Sequence, residues 1–73
     1  MNITAIVERS SDGLFCIYSN ETIGKDYLGG YGESVEEAKQ DFLSSVQEAI
    51  VNAKMDGFDN VPDFENIHVE FMN

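Results

Sequence analysis

The chain opens with a pattern that predicts two strands joined by a hairpin. Hydrophobic and polar residues alternate over residues 3–9, which is the period of two expected of a half-buried strand. Ser10-Ser11-Asp12-Gly13 ends this strand, and Asp-Gly supplies the positive φ angles that a tight hairpin needs. Residues 14–18 should then return antiparallel beside the first strand.

The second strand is apolar on both of its faces. Its two sets are Phe15 and Ile17 on one face, and Leu14, Cys16 and Tyr18 on the other. A strand with one buried face needs only one apolar set, because its other face meets water. The pattern therefore indicates that something covers the second face.

Two more strands are indicated further along the chain. Residues 20–26 are polar and contain Gly24, which is typical of a loop. Tyr27, Leu28 and Tyr31 then predict a short third strand, whose glycines favour a bulge or a bend. A final alternation predicts a fourth strand, with Ile67, Val69 and Phe71 on one face and His68, Glu70 and Met72 on the other.

Between the third and fourth strands the hydrophobic spacing becomes helical. One stripe of apolar residues recurs at intervals of three and four: Val35, Ala38, Phe42, Val46, Ala49, Ile50 and Ala53. Gly57 is the expected stop, because glycine is favoured just beyond a helix C-terminus. Residues 56–66 are polar, and Phe58 and Phe64 are expected to hold this loop on the domain.

The order β-β-β-α-β predicts a single α+β domain over residues 1–73. A right-handed crossover through the helix places the fourth strand parallel to the first, so the expected sheet order is 3-2-1-4. One helix covers only one face of such a sheet. The other face is predicted to be a contact surface that includes Ile6, Leu14, Cys16, Tyr18, His68 and Met72. Because so short a chain has a small core, self-association through this face is expected.

The helix start carries a capping box. Ser34 can accept from the backbone N–H of Glu37, and the Glu37 carboxylate can reach back to the Ser34 N–H. Glycines at residues 29, 30 and 32 also suggest a phosphate-binding loop, but the Walker lysine is missing and three glutamates near the helix start would repel a phosphate. These glycines are therefore expected to serve backbone geometry.

The chain resembles the HicB-like antitoxin family, specifically its N-terminal domain. The resemblance rests on Asp12-Gly13 at the hairpin and on Gly32-Glu33-Ser34-Val35-Glu36-Glu37-Ala38 at the helix start, where the family has Gly-Asp-Thr-x-Glu-Glu-Ala. It covers about the first two thirds of the chain. Between these motifs the family usually carries a Pro-Asp-Leu-Pro-Gly-Cys type segment, and here residues 20–27 stand instead.

The resemblance implies a function in a toxin–antitoxin system. HicB-like proteins block a small basic ribonuclease toxin with this domain and repress their operon with a C-terminal DNA-binding module. The chain ends at Asn73 without such a module, so a repressor role is not expected.

The net charge limits the kinds of partner. Fourteen acidic residues against four basic ones give a formal net charge of −10. Nucleic acid requires the opposite charge, because binding releases counterions from phosphate, so direct binding of RNA or DNA is not expected. The acidity serves either solubility or a basic protein partner.

Cysteine content and hydropathy indicate a location. Cys16 is the only cysteine and has no internal disulfide partner, the N-terminus does not resemble a signal peptide, and no apolar run approaches the ~20 residues of a membrane span. We therefore expect a reduced, cytoplasmic setting and no membrane contact.

No catalytic, cofactor or metal site is predicted. The carboxylates are scattered, whereas two-metal hydrolysis needs several of them to converge. Residues 56–63 have a calcium-loop composition but lack the glycine and glutamate positions of an EF-hand. Cys16 and His68 could pair as nucleophile and base only if they met, and the predicted sheet order separates them.

These observations predict a non-enzymatic antitoxin-like module that would cover a small basic ribonuclease toxin. Two alternatives remain open. One is a metal-dependent nuclease remnant, because HicB-like domains resemble a truncated ribonuclease H sheet. The other is a self-associating HicB-like domain without a toxin-related role.

Overall fold

The computed structural model describes all 73 residues. The chain forms four strands and one long helix. The strands are β1 (Asn2–Arg9), β2 (Phe15–Ile23), β3 (Asp26–Gly32) and β4 (His68–Met72); the helix is α1 (Val35–Met55), and a short 3₁₀ helix, Phe64–Asn66, precedes β4. The predicted α+β architecture, the sheet order β3-β2-β1-β4 and the parallel pairing of β4 with β1 are confirmed. No helix is long and apolar enough to cross a membrane.

The turn between β1 and β2 is a three-residue loop. The Gly13 N–H donates to the Ser10 carbonyl at 3.0 Å, and the Ser10 N–H donates to the Leu14 carbonyl at 2.8 Å. Only Gly13 has a positive φ, 87°, so the expectation that Asp-Gly supplies several such angles is wrong. Asp12 acts through its carboxylate, which accepts from the Leu14 N–H at 3.1 Å and from the Ser10 hydroxyl. A type I turn followed by a glycine in the left-handed region fits this geometry.

The predicted loop over residues 20–26 is wrong, because most of it belongs to β2 and β3. The hairpin closes where Ile23 pairs with Asp26, and Gly24 and Lys25 form the turn. Gly24 has a φ of 60°, which favours the type II′ turn that two-residue hairpins use. Polar side chains on the solvent side of this hairpin concealed the strand pattern.

The irregularity in the sheet lies in β2, whereas the sequence indicated the glycines of β3. Pairing with β3 shifts between Tyr18 and Thr22, where Ser19, Asn20 and Glu21 bulge out. The Glu21 N–H donates to the Ser19 hydroxyl at 3.1 Å, and that hydroxyl donates to the Glu21 carboxylate. This bond lowers the pKa of Glu21, because it stabilises the ionised carboxylate.

The glycines of β3 let α1 lie directly on the sheet. A Cβ atom at Gly30 would stand 2.4 Å from the Ala38 carbonyl oxygen and 2.4 Å from the Phe42 nitrogen. A Cβ atom at Gly32 would stand 2.5 Å from the Ala38 nitrogen. Real Cβ atoms do not approach backbone so closely, so only glycine fits at either position.

The predicted helical stripe forms the centre of the core. Val35 is half-buried and the other six members are buried. The sheet contributes Ile3, Ala5, Val7, Ile17, Ile23 and Leu28. Because α1 packs mainly on β3 and β2, the apolar side chains before and within β4, Ile67, Val69 and Phe71, are only half-buried.

Both ends of α1 are capped, with one difference from the predicted box. Ser34 accepts from the Glu37 N–H at 3.1 Å as predicted, but the Glu37 carboxylate accepts from the Glu33 N–H at 3.1 Å and not from that of Ser34. Close approach of Gly32 to the helix brings the Glu33 N–H within reach.

At the C-terminus of α1 the predicted stop at Gly57 is confirmed. Gly57 has a φ of 83°, its N–H donates to the Lys54 carbonyl, and the Phe58 N–H donates to the Ala53 carbonyl, which is a Schellman motif. Phe58 and Phe64 are 44% and 38% exposed, so these two residues hold the loop over residues 56–66 on the domain only in part. Val61 packs against the core instead.

Candidate protein-binding face

The sheet face opposite α1 is the candidate site, and we call it the open face. Its side chains come from the strand positions that alternate with the buried ones: Thr4, Ile6, Glu8, Cys16, Tyr18, Tyr27, Tyr31, His68, Glu70 and Met72. The one long helix packs on the other side of the sheet. This face is therefore uncovered within the chain.

The centre of the open face is apolar and aromatic. Ile6 on β1 pairs with Tyr18 on β2 and with Met72 on β4, so the three side chains form one row across the sheet. Tyr18 is 39% exposed and Met72 is 49% exposed. The neighbouring row joins Cys16 to Tyr31 on β3. Four predicted contact residues, Ile6, Cys16, Tyr18 and Met72, thus lie together.

The other two predicted contact residues lie away from this centre. His68 pairs with Asn2 at the start of β4, on the open face but four residue pairs from the row of Met72. Leu14 precedes β2 and lines a shallow groove with Tyr31, Glu37 and several other polar residues of α1. The predicted set is therefore one cluster of four residues with two outlying members.

Two tyrosines of the open face were not among the contact residues predicted from the sequence. Tyr27 is 81% exposed and Tyr31 is 54% exposed. Between them lies Gly29, which pairs with Tyr18 and has no side chain to fill the row. The alternation of Tyr27 and Tyr31 with buried residues was the available signal, but the glycines had suggested an interrupted strand.

One hydrogen bond organises polar groups on the open face. The Tyr18 hydroxyl donates to Glu8 Oε2 at 3.1 Å. This bond raises the pKa of Tyr18, because the neutral phenol donates to the carboxylate and the phenolate would be repelled by it. Tyr18 and Glu8 therefore present a fixed aromatic ring beside a negative charge.

The charge on the open face has one sign. Its ionised groups are Glu8 and Glu70, and none of the four lysine and arginine side chains belongs to it. Each cation has an intrachain partner elsewhere: Lys25 with Asp56 at 3.7 Å, Lys54 with Asp63 at 3.6 Å, Arg9 over Phe15 at 5.7 Å and Lys39 over Phe71 at 5.0 Å. The open face is therefore an aromatic surface with acidic charge.

Other arrangements that could carry chemistry are explained by structure. The structure has no group of three or more His, Cys, Asp or Glu side chains that could hold a metal ion. In the groove beside β3, the Asp41 carboxylate accepts from the Tyr31 N–H at 2.9 Å. Cys16 and His68 lie on strands separated by β1, where their pairing partners are six residues apart, about 20 Å at the strand rise.

Comparison with protein-family models, with characterised proteins and with solved structures gave no match for this chain.

Proposed function

We propose that this chain is an antitoxin-like protein-binding module whose open face covers a small basic protein. The observation that carries the proposal is the open face itself, which combines an exposed aromatic centre with carboxylates and no cation. The resemblance to HicB-like domains at the hairpin and at the helix start supports a small basic ribonuclease toxin as the class of partner that we propose.

The aromatic centre supplies the contact area. Tyrosine and methionine are enriched at protein–protein interfaces, and tyrosines are frequent hot spots. Tyr18 and Tyr31 lie on hydrogen-bonded strands, so little backbone conformational entropy would be lost on binding. A preformed aromatic surface of this kind favours a protein partner over a small molecule.

The charge selects a basic partner over nucleic acid and over a second copy on the same face. A net charge of −10 steers a basic protein toward the chain, and it repels phosphate. A second copy on this face would bring Glu8 and Glu70 against carboxylates of the same sign. A basic partner would pair with these carboxylates.

The proposal predicts a neighbouring gene that encodes a short basic protein, and the product of that gene is the partner to test; absence of such a gene would favour a self-associating domain without a toxin-related role. Tyr18→Glu should weaken binding strongly, because it places a charge in the apolar centre. Gln47→Glu adds the same charge on the exposed side of α1 and should bind like the wild type. Titration calorimetry of both variants and of the wild type measures the difference.

Salt dependence provides a second measurement. The association rate with the basic protein should fall as ionic strength rises, because steering is screened over a Debye length of about 8 Å at physiological salt. Equal binding of Tyr18→Glu and Gln47→Glu would contradict the proposal. A gel shift of RNA by the purified chain, or RNA cleavage that requires added Mg²⁺ or Mn²⁺, would favour the nuclease alternative.

A further inference from the structure

The two outer strands of the sheet differ in how their edges are closed. At the β3 edge, the Tyr31 N–H donates to Asp41 Oδ2 at 2.9 Å and the Gly29 N–H donates to Ser45 Oγ at 3.2 Å. Side chains of α1 thus occupy the donors that another strand would use. A natural sheet edge is commonly blocked in this way against pairing with a further chain.

The β4 edge has no such closure over Val69 and Phe71; just before the strand, the Ile67 N–H donates to the Phe64 carbonyl at 3.1 Å. The His68 N–H donates to the Met1 carbonyl at 2.9 Å, and β4 pairs with β1 from there onward. Because backbone groups alternate in direction along a parallel ladder, the N–H and C=O groups of Val69 and Phe71 point away from β1. No side chain donates to or accepts from them.

We propose that two copies of this chain pair antiparallel through their β4 edges and form one continuous eight-stranded sheet. The twofold axis passes between Val69 of one copy and Val69 of the other. In this register Phe71 lies opposite Ile67 of the second copy, and His68 lies opposite Glu70 of the second copy. The side chains on the helix side and on the open side of β4 favour this register.

On the helix side of the sheet, this pairing joins apolar side chains. Ile67, Val69 and Phe71 are only half-buried, because α1 lies mainly over β3 and β2. A second β4 would cover their exposed parts with the same three residue types. Apolar cross-strand pairs are the unit that stabilises a sheet.

On the open side, the same register places a hydrogen-bond donor, the His68 imidazole, opposite a carboxylate, Glu70 of the second copy. His68 and Glu70 are both exposed. Across the twofold axis, His68 of each copy would lie opposite Glu70 of the other copy. A register shifted by one residue pair would instead set Glu70 against Glu70 of the second copy, and directly opposed like charges are destabilising. The register centred on Val69 avoids this repulsion and gives each Glu70 carboxylate an imidazole donor.

Sedimentation velocity over about 1 μM to 1 mM protein tests the assembly. A dimer should form, and it should tighten with added salt, because two chains of charge −10 repel each other less when screened. Binding of a basic protein should show the opposite trend. The edge pairing does not depend on the proposed function, and the two salt trends separate them.

Substitution and exchange of the side chains at positions 68 and 70 tests the register. His68→Glu should weaken dimerisation about tenfold, because it sets two like-charge pairs across the axis. The double variant His68→Glu/Glu70→His exchanges the two side chains, so each carboxylate again lies opposite an imidazole, and it should restore the dimer. Gln47→Glu carries the same added charge as His68→Glu at a distant exposed site, and it should leave the dimer close to wild type.

Val69→Pro tests the backbone contact directly. The Val69 N–H points away from β1, so proline removes a donor to the second copy without removing one from the sheet. Circular dichroism should show a folded monomer. The proposal is overturned by a wild type that stays monomeric at every concentration, or by a dimer that survives both His68→Glu and a folded Val69→Pro. Loss of the dimer on Tyr18→Glu alone would place the contact on the open face instead.

Discussion

The β3 half and the β4 half of the sheet are packed in opposite ways. On the β3 side, glycines bring the backbone of α1 into contact with the strand, and Asp41 and Ser45 close its edge. On the β4 side, Ile67, Val69 and Phe71 remain half-buried and the edge is unpaired. One helix can lie closely against only part of a four-stranded sheet, so close packing at β3 leaves β4 partly uncovered.

Truncation of one aromatic ring from each half should give the largest contrast. Phe42 is fully buried, its backbone lies against Gly30 of β3, and its ring meets that of Phe71 edge to face at 5.8 Å. Phe42→Ala should cost about 3–5 kcal/mol in the free energy of unfolding, as in other cores. Phe71→Ala should cost less than half as much, because its ring is already partly in water. Urea denaturation of both variants measures the contrast, and equal losses would contradict it.

Addition of one methyl group to adjacent glycines tests the close approach at β3. Gly30→Ala places a Cβ 2.4 Å from backbone atoms of α1 and should cost about 1–3 kcal/mol or more, because the helix must move away. Gly29→Ala is the matched control, because its Cβ would meet only the Ile17 carbonyl oxygen at 3.4 Å. Thermal melts that show the same loss for both would exclude a tight helix–strand contact.

Removal of the edge closure at β3 should make the two edges more alike. Asp41→Ala leaves the Tyr31 N–H without its acceptor and should cost about 1 kcal/mol. Its more specific effect is an open β3 edge, so amide hydrogen exchange at Tyr31 should speed up. Glu48→Ala removes a carboxylate from an exposed helix position that makes no hydrogen bond to the sheet, and it should leave that exchange rate unchanged.

The smallest expected effect is a pH dependence at the turn between β1 and β2. Donation by the Ser10 hydroxyl, and then by the Leu14 N–H, lowers the pKa of Asp12. A carboxyl with a lowered folded-state pKa stabilises the fold above its unfolded pKa, near 4, and loses that contribution as pH falls through the folded value. The difference in stability between wild type and Asp12→Asn should therefore shrink below about pH 4.

Asp59→Asn is the matched control for this measurement, since Asp59 lies in an exposed loop outside the hydrogen bonds of the sheet. A stability difference between wild type and Asp12→Asn that does not change between pH 7 and pH 2 would contradict the role of the turn hydrogen bonds.

Local patterns in the sequence were sufficient for most of the fold. The helical stripe around Phe42, the alternation in β1 and β4 and the cap at Ser34 depend on neighbours a few positions away, so they could be predicted. The sheet order followed from chirality, because a crossover helix has one favoured hand. The same local patterns failed at residues 20–26, where polar composition concealed the second hairpin.

The candidate site could be predicted only in part. Ile6, Cys16, Tyr18 and Met72 were found from strand alternation, and the structure brings them together. Tyr27 and Tyr31 were missed, because their exposure depends on Gly30, which lies between them and packs against the helix. The direction of the Glu37 carboxylate toward Glu33 was also outside what the capping pattern specifies.

The sequence by itself determined α1, β1, β4 and the first part of β2, because these depend on the period of hydrophobic residues and on a local turn signal. Only the tertiary structure decided where the helix lies across the sheet. Gly30 and Gly32 admit the backbone of α1 on β3, and no residue of β4 offers the same space. The closed β3 edge and the open β4 edge follow from that contact, which joins residues distant in sequence and has no local pattern to report it.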